Sequence, residues 1–286
     1  MTLKRKPSWL KIKLSVGEKY GQVKKVVNDN QLHTICQSGN CPNMGECWGM
    51  GTATFMILGE ICTRSCKFCA THTGKPLPVD TKEPLKVARS VKLMKLKHCV
   101  ITSVDRDDLA DGGAEVWAKT ITAVKKENPE TTVEVLLPDF TGKKEDLEKV
   151  LEIRPDIAAH NLETVKRLTP NVRSAAKYER SLKVIEWISL SGIKTKSGIM
   201  VGLGETFDEV IETMQDLRKA GCEIITIGQY LQPSHSHLPV AEYIHPDVFA
   251  RYKEEGMKMG FILVESNPLV RSSYHAEGDF RKISNV

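Results

Sequence analysis

The sequence predicts an α/β protein built as a partial (β/α)6 barrel of the TIM type, on three observations. Short apolar runs rich in Val, Ile and Thr, bounded by breakers, recur along the chain as strands of a buried parallel sheet do. Between them lie stretches with apolar residues at three- and four-residue steps, the period of amphipathic helices. Residues with chemical character fall at the C-terminal ends of successive runs, where β/α barrels carry their sites. Periodicity alone leaves a doubly wound sheet open as the competing topology; the strand-end placement favours the barrel.

Residues 1–30 are basic and polar, with a helix pattern over 17–30 carried by Tyr20, Val23, Val26 and Val27. The segment 34–48 is dense in turn residues and has no sustained period, which reads as a loop tied down by its cysteines. Strand runs are expected at 52–59, 98–104, 132–137, 157–161, 195–202 and 223–231, with a further run at 261–265. Helix patterns fill 83–96, 116–126, 143–152, 178–190 and 207–219, with caps at Thr141, Thr206 and the Pro246-Asp247 pair. Six such β–α units over about 180 residues imply a right-handed parallel array, and no internal repeat is visible. The expected organisation is an N-terminal extension at 1–50, the barrel at 51–235 and a C-terminal segment at 236–286.

The bulk composition narrows the class. A chain of 286 residues with 41% hydrophobic and 27% charged residues is ordinary for a globular protein. No apolar run approaches the roughly 20 residues that span a membrane. The first ten residues carry charge without a following apolar core, so no secretory signal is expected. The net charge of +5 is mild and spread out, which reads as a solvated surface, with steering of an acidic partner as the sharper alternative. Six of the eight cysteines lie in two triplets between Cys36 and Cys69. Without an export signal, that grouping reads as metal or cluster binding in a reducing compartment. Cys99 and Cys222 each open a strand-like run and read as small buried hydrophobes.

Cys62, Cys66 and Cys69 form a C-x3-C-x2-C triplet. Three closely spaced thiols can hold three corners of a cubane iron–sulfur cluster. A fourth thiol would make an electron carrier; three leave one iron open to a small molecule, so the cluster becomes a reaction site. A zinc knuckle is the plainer reading, but it pairs C-x2-C with a second close Cys or His pair. Here His72 lies only three residues beyond Cys69. The spacing, with an aromatic (Phe68) just before the last cysteine, resembles the signature of the radical S-adenosylmethionine (SAM) superfamily. That resemblance implies an open iron chelated by the amino and carboxylate groups of SAM. One electron from the cluster would cleave the sulfonium to methionine and a 5′-deoxyadenosyl radical, chemistry the cofactor carries and the protein positions.

Cys36, Cys41 and Cys47 form the second triplet, C-x4-C-x5-C. Alone it leaves zinc open, since three thiols need a fourth ligand. With the first triplet and the C-terminal Arg271-Ser-Ser-Tyr274-His-Ala276, it resembles lipoyl synthase. Further family-like stretches lie at 104–114, 160–164, 196–205 and 228–234, so the resemblance runs from about residue 30 to 280. It implies a sulfurtransferase that inserts sulfur at C6 and C8 of an octanoyl chain attached to a lysine of a lipoyl carrier domain. Each insertion would use one SAM-derived radical, and an auxiliary [4Fe–4S] cluster would be consumed as sulfur donor. The serine of R-S-S-Y that ligates this second cluster maps to Ser273, with the C-terminal segment closing over it. An alkoxide is a poorer match for iron than a thiolate, so one corner of that cluster is expected to be labile. The resemblance also implies octanoylated lipoyl domains of 2-oxoacid dehydrogenase complexes and the glycine cleavage H protein as substrates, and ferredoxin or flavodoxin as electron donor. Cluster-assembly proteins are expected as partners, nucleic acid and membrane are not, and the expected location is the cytoplasm.

Expected cofactor contacts are Phe68, Asn161, Gly202, Glu205 and Gln229. Gly198-x3-Gly202-x2-Glu205 at a strand end could be plain turn chemistry. In radical SAM proteins a similar stretch lines SAM. Asn161 either satisfies a buried backbone group or bonds the ribose or carboxylate of SAM. Asp111-Gly112-Gly113 is a turn before a helix, or a place for SAM's amino acid group. Arg173 and Arg271 read as surface charges, Arg271 having the better claim to a site beside Ser273. His160, His235 and His237 read as structural or solvated, since radical hydrogen abstraction needs no general base. Trp48 and Tyr274 flank ligands and are expected to shield them. Two other readings remain. A different radical SAM sulfur-transfer reaction, such as biotin formation or methylthiolation, lacks a reason for C-x4-C-x5-C and R-S-S-Y. A zinc-stabilised binding module would predict clustered basic and aromatic residues, and none is visible.

Overall fold

The computed structural model describes residues 5–12, 17–173 and 175–284, so the reading of the first four residues lies outside it. A 3-10 turn at Ser8–Leu10 precedes α1 (Glu18–Asp29), which is followed by β1 (His33–Thr34), α2 (Ile35–Ser38) and α3 (Met44–Met50). The segment expected to be a loop is therefore wound into two short helices; Thr34 starts the first, its Oγ1 accepting from Gln37 N at 3.3 Å. Next come β2 (Thr54–Ile57), the ribbon β3 (Ile61–Cys62) and β4 (His72–Thr73), α4 (Glu83–Met94), β5 (His98–Ser103), α5 (Ala114–Glu127) and β6 (Thr132–Leu136). Then follow α6 (Lys144–Leu151), β7 (Ile157–Ala159), α7 (Thr169–Val172), α8 (Tyr178–Leu190), β8 (Lys194–Val201), α9 (Phe207–Lys219) and β9 (Ile224–Gln229). The chain ends with α10 (Pro246–Lys258), β10 (Leu263–Ser266) and α11 (Ala276–Ser284).

One sheet runs β1-β2-β5-β6-β7-β8-β9-β10, parallel throughout except for β1. Each parallel strand lies beside its predecessor in the chain. A doubly wound sheet would reverse that order at a switch point, so the competing topology falls. The winding continues one unit beyond the boundary expected at residue 235: α10 packs back and β10 pairs with β9, Leu263 opposite Ile224. The stretch after Ser266 lies outside this winding. The cap expected at Thr141 is also absent. Thr141 sits at φ 54 in a 3-10 turn, and Lys143 precedes α6. Thr206 does open α9, in a reciprocal capping box with Glu209.

The period-2 alternation of the strands divides the interior. Phe55, Ile57, Ile101 and Val135 face the helices and pack on Val91, Trp117, Ile121 and Val150. In the second half Val201 and Ile227 meet Val210, Met214 and Phe249. Each fully buried aliphatic side chain contributes roughly 1.5–3 kcal/mol. The inward face is more polar. Glu134 receives Lys196 Nζ at 2.7 Å and lies 3.3 Å from His98 Nε2. Burial pushes the Glu134 carboxyl up, but Lys196 and His98 together hold it below its ordinary value. Below that pair, Ile157, Ile224 and Leu263 pack with Phe280 and Ile283 of α11, which closes the N-terminal end of the barrel. The opposite end is left open for a site.

Candidate active site

The C-terminal ends of the strands open into a cavity of about 510 Å³ bordered by Cys62, Cys66 and Cys69 and also by Cys36, Cys41 and Ser273. A second hollow of about 290 Å³ adjoins it and adds Cys47 to Cys36, Cys41 and Ser273. All eight cysteines are free thiols, and Cys99 and Cys222 are fully buried away from both hollows. Among the described residues, no three His, Cys, Asp or Glu side chains gather closely enough around one point to hold a single metal ion. The thiols line hollows instead. A donor set of three separate thiols per triplet fits a multi-iron cluster, in which each iron takes its own thiolate.

The first triplet is held rigidly by groups that the cysteine spacing does not reveal. Cys62 ends β3, and Gly74 N returns to its carbonyl at 3.1 Å through the ribbon with β4. Its sulfur accepts the backbone N–H groups of Arg64 (3.4 Å) and Asp105 (3.3 Å). Arg64 lines the cavity beside the loop with a side chain only 4% exposed. It forks onto Asp107 at 2.7 and 2.8 Å, reaches Asp139 at 2.7 Å, and has Asp105 at 3.3 Å. On the outer side, His237 Nε2 donates to the Cys69 carbonyl at 3.0 Å while Ser234 bonds its Nδ1 at 2.8 Å. His237 is therefore structural, as expected, but it fastens the loop. Burial pushes the Cys62 thiol up to about 11, with Asp105 adding to it, and the Cys66 thiol up to about 12. A bound cation reverses that balance, because ligation requires and stabilises the thiolate.

The second triplet sits where the N-terminal helices meet the C-terminal segment. Cys41 N bonds the Cys36 carbonyl at 3.0 Å, and Asn43 Nδ2 crosses to the Leu269 carbonyl at 2.7 Å. Ser273 arrives because Val270 passes directly over Gly228, where a Cβ would stand 2.1 Å from the Val270 carbonyl oxygen. The Ser273 oxygen then accepts from Thr54 Oγ1 at 2.8 Å. Tyr274 donates to Glu46 Oε1 at 3.1 Å, with His275 Nε2 at 3.4 Å from the same oxygen, so this segment caps the hollow. Trp48 is fully buried beneath the triplet. Burial, reinforced by the neighbouring thiols, pushes Cys47 up to about 12.

The wall between the triplets is polar. Phe68 and Asn161 line the main cavity. Asn161 Nδ2 donates to Glu163 at 3.0 Å, while its buried Oδ1 has no partner. Gly198 keeps the space beside it open, since a Cβ there would lie 2.6 Å from Thr226 Oγ1 and 3.0 Å from Asn161 Oδ1. Glu163 holds a left-handed φ of 65 while its backbone bonds Gly198 O and Met200 N, a strained arrangement of the kind found at ligand sites. An orphaned amide oxygen and a carboxylate beside a glycine gap fit a small polar ligand such as SAM. Arg173 is not a surface charge: its Nη1 donates to the Asn161 carbonyl at 2.9 Å and the Leu162 carbonyl at 3.2 Å. Arg271 borders both hollows.

Three of the expected cofactor contacts stand behind this wall. The Glu205 carboxylate folds back on its own turn, accepting from Gly202 N and Leu203 N. Gln229 is spent on the 230–244 loop, donating to the Tyr230 and Glu242 carbonyls and accepting from Ile244 N. Gly202, at φ 99, leaves the space that the Gln229 amide fills. These residues shape the loop beside the cavity and do not line it. Sequence reasoning also missed Arg64, Glu163 and Thr54. Arg64 carries the one available signal, a cation inside a cysteine loop.

The chain was compared with known proteins. Residues 56–217 match the family model described as the radical SAM superfamily. The lipoyl synthase of Bacteroides fragilis (strain YCH46) is 64% identical over 277 residues, covering 97% of this chain and 96% of that protein. The mitochondrial lipoyl synthase of Nematostella vectensis is 59% identical over 273 residues, covering 95% and 94%. Among solved structures, Streptococcus suis SuiB bound to S-adenosylmethionine superposes with a TM-score of 0.61 at 12% identity, covering 75% of this chain and 50% of that one. That last likeness speaks for the fold alone.

Proposed function

The chain belongs to the lipoyl synthase family within the radical SAM superfamily, and from that premise we propose how its residues divide the work. It is a sulfurtransferase that uses SAM and [4Fe–4S] clusters. Cys62, Cys66 and Cys69 hold the cluster that binds SAM; Cys36, Cys41, Cys47 and Ser273 hold the auxiliary one. When bound, the first cluster with SAM supplies the radical that takes an unactivated hydrogen, and the second supplies sulfur. The protein's part is placement. Arg64 and His237 fix the first cysteine loop, Arg64 through Asp107 and Asp139 and His237 through the Cys69 carbonyl. Asn161, Glu163 and Phe68 border the space for SAM, and Gly202, Glu205 and Gln229 support it from behind.

The observation that carries this reading is the single cavity of about 510 Å³ that Cys36, Cys41 and Ser273 line together with Cys62, Cys66 and Cys69. A carbon radical formed in this cavity then has its sulfur source without leaving the site. The substrate is an octanoyl chain on a lysine of a lipoyl domain of a 2-oxoacid dehydrogenase complex, or of the glycine cleavage H protein, with insertion at C6 and C8. Ferredoxin or flavodoxin supplies electrons, and cluster-assembly proteins load the iron. Residues 1–50 and the stretch after Ser266 act as two flanks that bring the auxiliary ligands together. No helix among the described residues is long and apolar enough to cross a membrane. Eight unpaired thiols suit a reducing compartment, the cytoplasm.

The test is the mass of an octanoyl-lysyl carrier domain after anaerobic incubation with reconstituted protein, SAM and reductant. Replacement of two hydrogens by two sulfurs, read in the disulfide form, is the expected result. An unchanged carrier alongside released 5′-deoxyadenosine would leave the radical chemistry standing and remove the lipoyl substrate.

A further inference from the structure

We propose that Thr54 is a positioning residue for the auxiliary cluster, its hydroxyl setting how firmly the Ser273 oxygen holds its corner. The proposal rests on Ser273 being the fourth ligand. Thr54 opens β2, is 6% exposed, and points to the inward face of the sheet. Its Oγ1 donates to Ser273 Oγ at 2.8 Å across 219 residues of chain. It also lines the smaller hollow with all three thiols of the second triplet. Its backbone N–H also hydrogen-bonds the Cys36 sulfur. One residue of a rigid strand thus touches the first and the last member of the ligand set.

The chemistry gives that contact a direction. A serine must give up its proton to ligate iron, and an alkoxide concentrates its negative charge on a smaller, less polarisable atom than the thiolates beside it. A donor at 2.8 Å stabilises the ligated, partly anionic oxygen more than the neutral hydroxyl, so it favours ligation. Thr54 also holds Ser273 Oγ at a fixed place, so the oxygen does not wander when it is off the metal. A residue on a loop could not do this; a strand end can.

The test uses the full chain with Cys62, Cys66 and Cys69 changed to Ala, reconstituted anaerobically so that only the second triplet is loaded. Iron loss to a ferrous chelator is followed by absorbance. Thr54→Val, which keeps the shape and deletes the donor, is expected to lose iron about tenfold faster, the size of one hydrogen bond to a charged group. Thr54→Ser, which keeps the donor, is expected to stay within about twofold of the parent, a rescue that a merely structural role would not give. In a Ser273→Ala background, Thr54→Val is expected to add nothing. A parent-like rate for Thr54→Val, with Ser273→Ala fast, overturns the role of Thr54 and leaves Ser273 as ligand. A parent-like rate for Ser273→Ala as well removes Ser273 from the ligand set, and the proposal with it.

Discussion

Arg64 Nη2 meets Asp139 Oδ1 at 2.7 Å although 75 residues separate them. The contact joins the cysteine loop after β3 to the turn after β6, and both side chains are almost wholly out of solvent. A buried charge that loses its partner costs roughly 3–5 kcal/mol. Arg64→Met is therefore expected to lower the denaturation midpoint and to reduce iron at the first triplet, measured with Cys36, Cys41 and Cys47 changed to Ala. Arg64→Lys keeps the charge but not the fork, and should fall between. Unchanged iron and midpoint in Arg64→Met would mean that the loop holds itself.

Gly228 makes a different demand. The missing Cβ is what lets the Val270 carbonyl pass, at a distance that any side chain would bring to 2.1 Å. Gly228→Ala should displace the segment that delivers Ser273, at a cost of about 1–3 kcal/mol for overpacking. The expected readout is loss of iron from the second triplet with the first still loaded. Equal loading of both would show that the segment has another route into the mouth.

Much of this fold was legible because its period is long. The Val-, Ile- and Thr-rich runs mark the strands to within two or three residues, and the spacing in α8 and α9 marks those helices to the residue. The failures have local causes. α2 and α3 span four and seven residues, too short to express a helical period against the surrounding glycines and asparagines. Thr141 looks like a cap but occupies a left-handed turn, its N–H held by the Asp139 carboxylate at 3.0 Å. In the site, cysteine spacing pointed to both triplets, but it carries no information on partners far along the chain, such as Asp139 for Arg64 or Thr54 for Ser273. Glu205 and Gln229 show the converse limit. A motif locates a strand end, yet the direction of each side chain is decided by the loop it meets.

Gly198 tests the polar wall. A methyl group there would press on Thr226 Oγ1 at 2.6 Å and on Asn161 Oδ1 at 3.0 Å. Gly198→Ala should therefore turn the unpartnered Asn161 oxygen out of line. The expected outcome is a KM for SAM raised about tenfold or more, since small misplacements near a reacting ligand cost that much. A normal KM with slowed sulfur insertion would shift the role of this wall from SAM to the acyl chain.

His160 supplies a pH dependence whose sign follows from its surroundings. Burial, aided by the Arg173 charge, lowers its pKa from 6.5 to about 4, against a smaller opposing pull from Asp139. Its Nδ1 donates to the Leu137 carbonyl at 2.9 Å and its Nε2 accepts from Ser181 at 2.9 Å, so the folded state uses the neutral ring. Between those two pH values the unfolded chain binds a proton that the folded chain refuses, so stability falls as pH falls. The contribution is whole above about pH 6.5 and declines by about 3 kcal/mol on reaching pH 4, at roughly 1.4 kcal/mol per unit. Urea unfolding of the parent and of His160→Gln, compared at each pH so that other titrating groups cancel, isolates this change. The stability advantage of the parent should shrink by about that amount from pH 7 to pH 4. A constant difference across the range would mean that the buried imidazole accepts its proton as readily as a free one, and that the Ser181 contact does not depend on the neutral ring.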